Sequence, residues 1–202
     1  MQNGLPDPDR RRKRRRRRIQ IIIVYTAIAI GLAWFFESQA TTTVIFVRHA
    51  EKADAADGDP GLSPAGRARA AELRRQLVEA DVVAGVDVIY STPYRRTMET
   101  ARPLAEALDI PIRRYNPEPE QYEEVLEGIV REHKGKIILI VGHSDTIPRL
   151  IAELGASKKV PPIAEDEYDN IYIISIPWFG KTKTIRLRYG EPYRGGAASV
   201  GE

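Results

Sequence analysis

Cysteine is absent from the 202 residues, which removes disulfides, thiolate metal sites and cysteine nucleophiles from consideration. Histidine is scarce as well. With only three in the chain, any imidazole chemistry must come from His49, His133 or His143. No internal repeat is visible, which sets aside solenoids and propellers. Acidic charge is missing between Arg10 and Phe36, and that gap divides the chain.

What fills the gap is unusual. Arg10 to Arg18 is an unbroken basic run, eight arginines and Lys13. Residues 19–36 then read IQIIIVYTAIAIGLAWFF, without a charge. As a helix these residues rise about 27 Å, close to the roughly 30 Å hydrocarbon core of a bilayer. Trp34, Phe35 and Phe36 suit one interface and the basic run marks the other, so the positive-inside rule predicts a cytoplasmic N-terminus and a folded domain outside. The expected layout is a basic cytoplasmic segment over 1–18, a transmembrane signal anchor over 19–36, a folded domain over 41–192 and a flexible Gly/Ala-rich tail over 193–202. A competing reading is a signal peptide cleaved after Ala40, at Ser38-Gln39-Ala40. The apolar stretch exceeds the usual 7–15-residue signal core, which favours retention. The expected location is a single-pass membrane protein with its domain periplasmic or at the cell surface.

The basic run also accounts for the net charge of +3. Residues 19–202 hold 22 basic against 26 acidic side chains, a net of −4. A folded part of that sign offers no basic face for nucleic acid, so no nucleic-acid partner is expected. The run reads as a topology signal suited to anionic lipid headgroups.

Past residue 40 the pattern alternates. TTTVIFVR (41–48) reads as a buried strand. Ser63-Pro64 reads as an N-cap and first helical position, opening a helix to about Ala80. A strand over 86–90, a helix over 94–108 and a short strand over 110–115 follow. A helix runs from about Glu120 to His133, then a strand over 136–141 and a short helix over 146–154. Residues 170–176 and 183–189 form a hairpin. This order predicts an α/β fold with a mainly parallel central sheet flanked by helices and a C-terminal hairpin.

Ligands of such sheets bind beyond the carboxyl ends of the strands. Those ends carry Arg48-His49, then Ser91 to Thr97 with Arg95 and Arg96, then Gly142-His143-Ser144-Asp145. Arginine forks two donors onto phosphate oxygens, and imidazole can attack a phosphoryl group. Cations there stabilise a transferring phosphoryl group without a metal. A metal site is disfavoured because Arg48 repels a cation, and no cofactor is expected. Ser63 reads as a cap only, Glu72, Arg74 and Arg75 as a solvated helix face, and His133 as a surface residue. Tyr168 and Asp169 read either as pocket residues or as structural ones before the hairpin.

VRHAEK (47–52), LSPAGRARA (62–70), STPYRRTMETA (91–101) and VGHSDT (141–146) together resemble the histidine phosphatase superfamily, also called phosphoglycerate-mutase-like. PPIAEDEYDNIYII resembles small secreted or anchored bacterial members. The resemblance implies that His49 becomes phosphorylated, that Arg48 and Arg96 bind phosphate, and that His143 binds it and steadies the transition state. The chain departs from the family pattern at Ala50, where many members have Gly. The general acid is open: Asp145 is first, with Glu120 and Glu118 as alternatives, and Asp145 also reads as a helix N-cap. The implied activity is hydrolysis of a phosphorylated small molecule, glycolipid or phosphoprotein through a phosphohistidine. Alternatives are a phosphomutase, for which there is little room for a lid, and a catalytically silent phospho-ligand binder.

Overall fold

The computed structural model describes residues 8–37, 41–54, 58–79, 85–116, 118–157 and 159–193. The expected cleavage site Ser38-Gln39-Ala40, Pro117 and nearly all of the expected tail lie outside the described residues. The chain forms two compact units, Met1–Gln39 and Ala40–Glu202.

The first unit contains one helix, α1 (Pro8–Glu37). It runs without a break from the basic residues into the apolar stretch. Every side chain from 12 to 35 is exposed, with Ile22 at 63 % and Trp34 at 73 %. A helix apolar on all sides needs an apolar surrounding. By length and composition α1 can cross a membrane, and a signal sequence near an N-terminus meets the same description.

The second unit is a six-stranded sheet with helices on both faces. Its strands are β1 (Thr42–Arg48), β2 (Val88–Ser91), β3 (Ile112–Arg114), β4 (Ile137–Gly142), β5 (Asn170–Ile176) and β6 (Lys183–Arg188), in the order β3-β2-β4-β1-β5-β6. The pairs β1–β4, β2–β4 and β2–β3 are parallel, while β5 runs antiparallel to β1 and β6 to β5. The sheet is therefore mixed, with a parallel centre and the expected hairpin at one edge.

The near-continuous apolar strands follow from burial on both faces. Val44, Phe46, Ile138 and Ile140 face one cluster with Leu126 and Ile129 of α4 (Tyr122–Glu132) and Leu150 and Ile151 of α5 (Ile147–Glu153). Ile45, Val47, Leu139 and Val141 face the other, with Leu73 of α2 (Pro64–Glu79) and Leu104 of α3 (Arg95–Leu108). Each such side chain contributes about 1.5–3 kcal/mol on burial.

The expected cap of α2 forms. Ser63 Oγ accepts the Gly66 N–H at 3.0 Å, with Pro64 as the first residue of α2. Two readings are corrected. His133 is buried, not on the surface: it closes α4 and packs on Tyr90 of β2, whose hydroxyl lies 3.0 Å from its Nε2. Asp145 does not cap the following helix, because α5 starts at Ile147 with Thr146 in the N-cap position.

Candidate active site

The carboxyl ends of β1, β2 and β4 form the floor of a cleft of about 570 Å³. Arg48, His49, Arg96, His143 and Asp145 all line it. Parallel pairing produces this convergence. Arg48 is in register with Gly142, and the His49 N–H continues the ladder to the Gly142 carbonyl at 3.0 Å. The two histidine rings stand 5.4 Å apart, centroid to centroid.

His49 is 5 % exposed. Its Nδ1 lies 2.8 Å from the Ala50 carbonyl oxygen. A carbonyl only accepts, so the proton belongs on Nδ1 and the lone pair on Nε2. Burial, then the charges of Arg48 and Arg96, pulls its pKa down to about 3. The ring is thus neutral near pH 7, oriented by its backbone bond and basic at the far nitrogen. The turn beneath it is pinned to α3, since the Ala50 N–H donates to Thr100 Oγ1 at 2.9 Å.

His143 is oriented by a chain of hydroxyls. Thr97 Oγ1 donates to the carbonyls of Thr92 and Tyr94, at 2.9 and 2.8 Å. Its proton being committed, it accepts from Thr92 Oγ1 at 2.9 Å. Thr92 Oγ1 is left as acceptor for His143 Nε2, 3.0 Å away. That assigns the neutral His143 proton to Nε2. Burial, then Arg96, holds its pKa down to about 4. A bound phosphoryl dianion would offset the guanidinium charges and favour the imidazolium.

Arg48 is held from the far side. Its Nη1 donates to the carbonyls of Ala164 and Glu167, at 2.7 and 3.0 Å, and its guanidinium lies 4.2 Å above the Tyr168 ring. Its buried Nε has no hydrogen-bond partner. An unmet buried donor costs about 1–3 kcal/mol, so an acceptor supplied by a ligand is favoured there. Arg96 stacks over Tyr94 at 4.6 Å and approaches Asp59 at 3.7 Å. Arg95, by contrast, is exposed and outside the cleft lining.

Sequence reasoning missed Glu165, a second carboxylate in the cleft lining. It also left open the position of Tyr168, whose ring stacks under Arg48 and sits 5.9 Å from that of His49. Both come from the loop before β5. An antiparallel strand begins at the edge where its parallel neighbours end, so that loop lands on the rim of the cleft. The direction of β5 was the missing signal. Glu118 and Glu120 do not line the cleft, although both act electrostatically on Tyr122 at its margin. Asp169 serves the structure: Arg188 Nη1 donates to both its oxygens at 2.7 and 2.8 Å. Arg188 Nη2 also reaches Glu167 at 3.1 Å, bracing the loop that holds Arg48. Among the described residues, no group of three or more His, Asp or Glu is arranged to hold a metal ion.

Residues 44–116 match the family model of the histidine phosphatase superfamily, branch 1. A search of curated proteins finds no match. Solved structures with the same fold include the protein histidine phosphatase SixA complexed with tungstate, at 19 % identity and TM-score 0.59, covering 72 % of this chain and 96 % of that one. Others are a mycobacterial glucosyl-3-phosphoglycerate phosphatase with inorganic phosphate (14 %, TM-score 0.53, 74 % and 97 %) and an Entamoeba histolytica phosphoserine phosphatase with 3-phosphoglyceric acid (16 %, TM-score 0.51, 74 % and 97 %). Three of the four motif segments lie within the residues that match the superfamily's model, and the second unit shares the α/β fold of these solved phosphatases, with two arginines and two histidines brought to one rim.

Proposed function

We propose that this chain hydrolyses a phosphomonoester or related phosphorylated group through a phosphohistidine at His49. The observation that carries the reading is the state of His49: neutral, its Nδ1 bonded to the Ala50 carbonyl, and flanked by Arg48, Arg96 and His143. In the first step the Nε2 lone pair attacks phosphorus in line with the leaving oxygen. Arg48, Arg96 and His143 gather the phosphoryl oxygens and stabilise charge as it redistributes. The leaving alkoxide takes a proton from a cleft carboxylic acid, Asp145 in the first instance. In the second step that carboxylate accepts a proton from water, the hydroxide attacks phosphorus, and the P–N bond breaks to release phosphate and regenerate His49.

A phosphomutase would have to keep its second substrate ahead of water, which calls for a closing lid. A silent binder would not need a nucleophile held in a neutral, oriented form. The reading includes an anchor over residues 19–36 with the domain outside the cytoplasm, facing phosphorylated small molecules, glycolipids or phosphoproteins. The decisive experiment is labelling. Full-length protein incubated with a phosphorylated substrate and quenched in alkali should retain acid-labile phosphate, and His49→Ala should lose both label and turnover. Turnover undiminished in a folded His49→Ala variant would overturn the mechanism.

A further inference from the structure

The turn between β5 and β6 carries features the cleft does not use. Trp178 is 52 % and Phe179 85 % exposed, adjacent at the tip of the hairpin with ring centroids 6.4 Å apart. The tip is shaped by Gly180 at φ 110°, a backbone angle that side chains resist. Lys181 and Lys183 follow, both exposed. Residues 170–190 contain four basic side chains and no acidic one. Two neighbouring exposed aromatics flanked by lysines combine an apolar wedge with charges that suit anionic headgroups.

Strand register locates this tip. Ile176, the last residue of β5, pairs with Thr42, the first of β1. The turn therefore sits at the end of the sheet where the chain enters from residue 41, and the His49 cleft sits at the other end. Thr42 follows Glu37, the last residue of the apolar helix, by five residues. Beside the tip, Thr42, Trp178 and Pro177 line a groove of about 420 Å³ in which Arg131 and Lys134 face Glu127 and Glu153. The groove charges balance, and Lys181 and Lys183 leave the region positive.

We infer that the β5–β6 turn is a second membrane contact, with Trp178 and Phe179 seated in the interface of an anionic bilayer, so that the tethered end of the sheet faces the lipid and the cleft faces water. The inference rests on residues 19–36 being a retained anchor. The seven residues of β1 span about 20 Å at 3.3 Å per step, which separates the His49 rim from the lipid-facing end. A headgroup phosphate of the same membrane lies behind the cleft, while a water-soluble phosphorylated molecule or phosphoprotein meets it directly.

The test uses the full chain carrying Trp34→Phe, which leaves Trp178 as the sole tryptophan. It is reconstituted into vesicles of phosphatidylethanolamine and phosphatidylglycerol, with and without a phospholipid nitroxide-labelled high on its acyl chain. Flotation after alkaline carbonate reads the anchor, and Trp178 emission reads the turn. The expected result is a chain that floats, with Trp178 emission lost to the nitroxide lipid and protected from aqueous iodide. Phe179→Glu should restore the emission and iodide access while hydrolysis of a soluble aryl phosphate stays unchanged. A chain that floats while Trp178 ignores the nitroxide overturns the inference alone. Protection from iodide without lipid quenching overturns it in favour of a protein partner, a second copy included. A chain that does not float overturns the anchor and the inference together.

Discussion

At the scale of single residues, burial and neighbouring charge set the imidazoles of the cleft apart from its guanidiniums. His49 and His143 are kept neutral by burial and by guanidinium neighbours, whereas Arg48 stays cationic under the same burial because a guanidinium does not release its proton at accessible pH. Two carboxylates compete for the proposed role of proton donor. Asp145 and Glu165 line the cleft, and the negative charges of both act on Arg48. Asp145 also acts on His143 and is released from any helix-capping duty, which ranks it first. General acid catalysis contributes typically 10²–10⁴-fold. Asp145→Asn is therefore expected to slow alkyl phosphates by about 100-fold or more while sparing aryl phosphates, whose leaving groups need little protonation. Steady-state rates on both substrate types measure this. Should Glu165→Gln produce that split and Asp145→Asn slow both types equally, the role belongs to Glu165.

Elements contribute by close approach. The start of α2 packs on the turn after His49 so tightly that a Cβ at Gly66 would overlap the Glu51 carbonyl oxygen. That same carbonyl accepts the Ser63 N–H at 2.9 Å, and Glu51 Oε1 accepts from Arg69 Nε at 2.8 Å. Gly66→Ala should thus cost about 1–3 kcal/mol through overpacking. By displacing the turn that orients His49, it should lower kcat by up to about 100-fold. Urea unfolding and steady-state kinetics on one preparation read both, and an unchanged kcat would show that the turn absorbs the methyl without moving His49. The contrast between Gly66 and the strands also shows what a sequence discloses. Apolar periodicity exposed β1, β4 and the hairpin, because two-sided burial writes itself into consecutive residues. The histidines and arginines at strand ends were legible for the same reason. Long-range contacts were not: nothing local in AEDEYDN says that Arg48 reaches back to hold Ala164 and Glu167. His133 looked like a surface residue because a helix end beside glycine resembles solvent-exposed chain until Tyr90 is placed against it.

For the whole molecule, two wholesale properties follow from these parts: which way it faces and how it responds to acid. Since the basic run precedes the apolar span, a reporter fused after Glu202 and active only in the cytoplasm should stay silent, and a strong cytoplasmic signal would reverse the orientation. The acid response follows from the cleft. His49 and His143 titrate near 3 and 4 in the folded chain against about 6.5 when unfolded. Between those values the unfolded chain binds more protons than the folded one, so stability rises with pH across the window. The contribution is complete above about pH 6.5 and is lost as the pH falls towards 4, by at most about 1.4 kcal/mol per histidine for each pH unit. Asp169 acts in the same sense lower down. Burial alone would raise its pKa, but the bonds from Arg188 and the Tyr193 N–H outweigh that and hold it below the usual carboxylate range. Urea unfolding of the full chain in detergent should therefore give a flat stability between pH 7.5 and 6.5 and a decline below. Because other carboxylates also titrate on the way down, the comparison that isolates the cleft is a His49→Gln, His143→Gln double variant, whose profile between about pH 6.5 and 4.5 should be shallower. Equal slopes would mean that the two imidazoles are open to water in solution, and the nucleophile would then lack the desolvated setting on which its proposed reactivity depends.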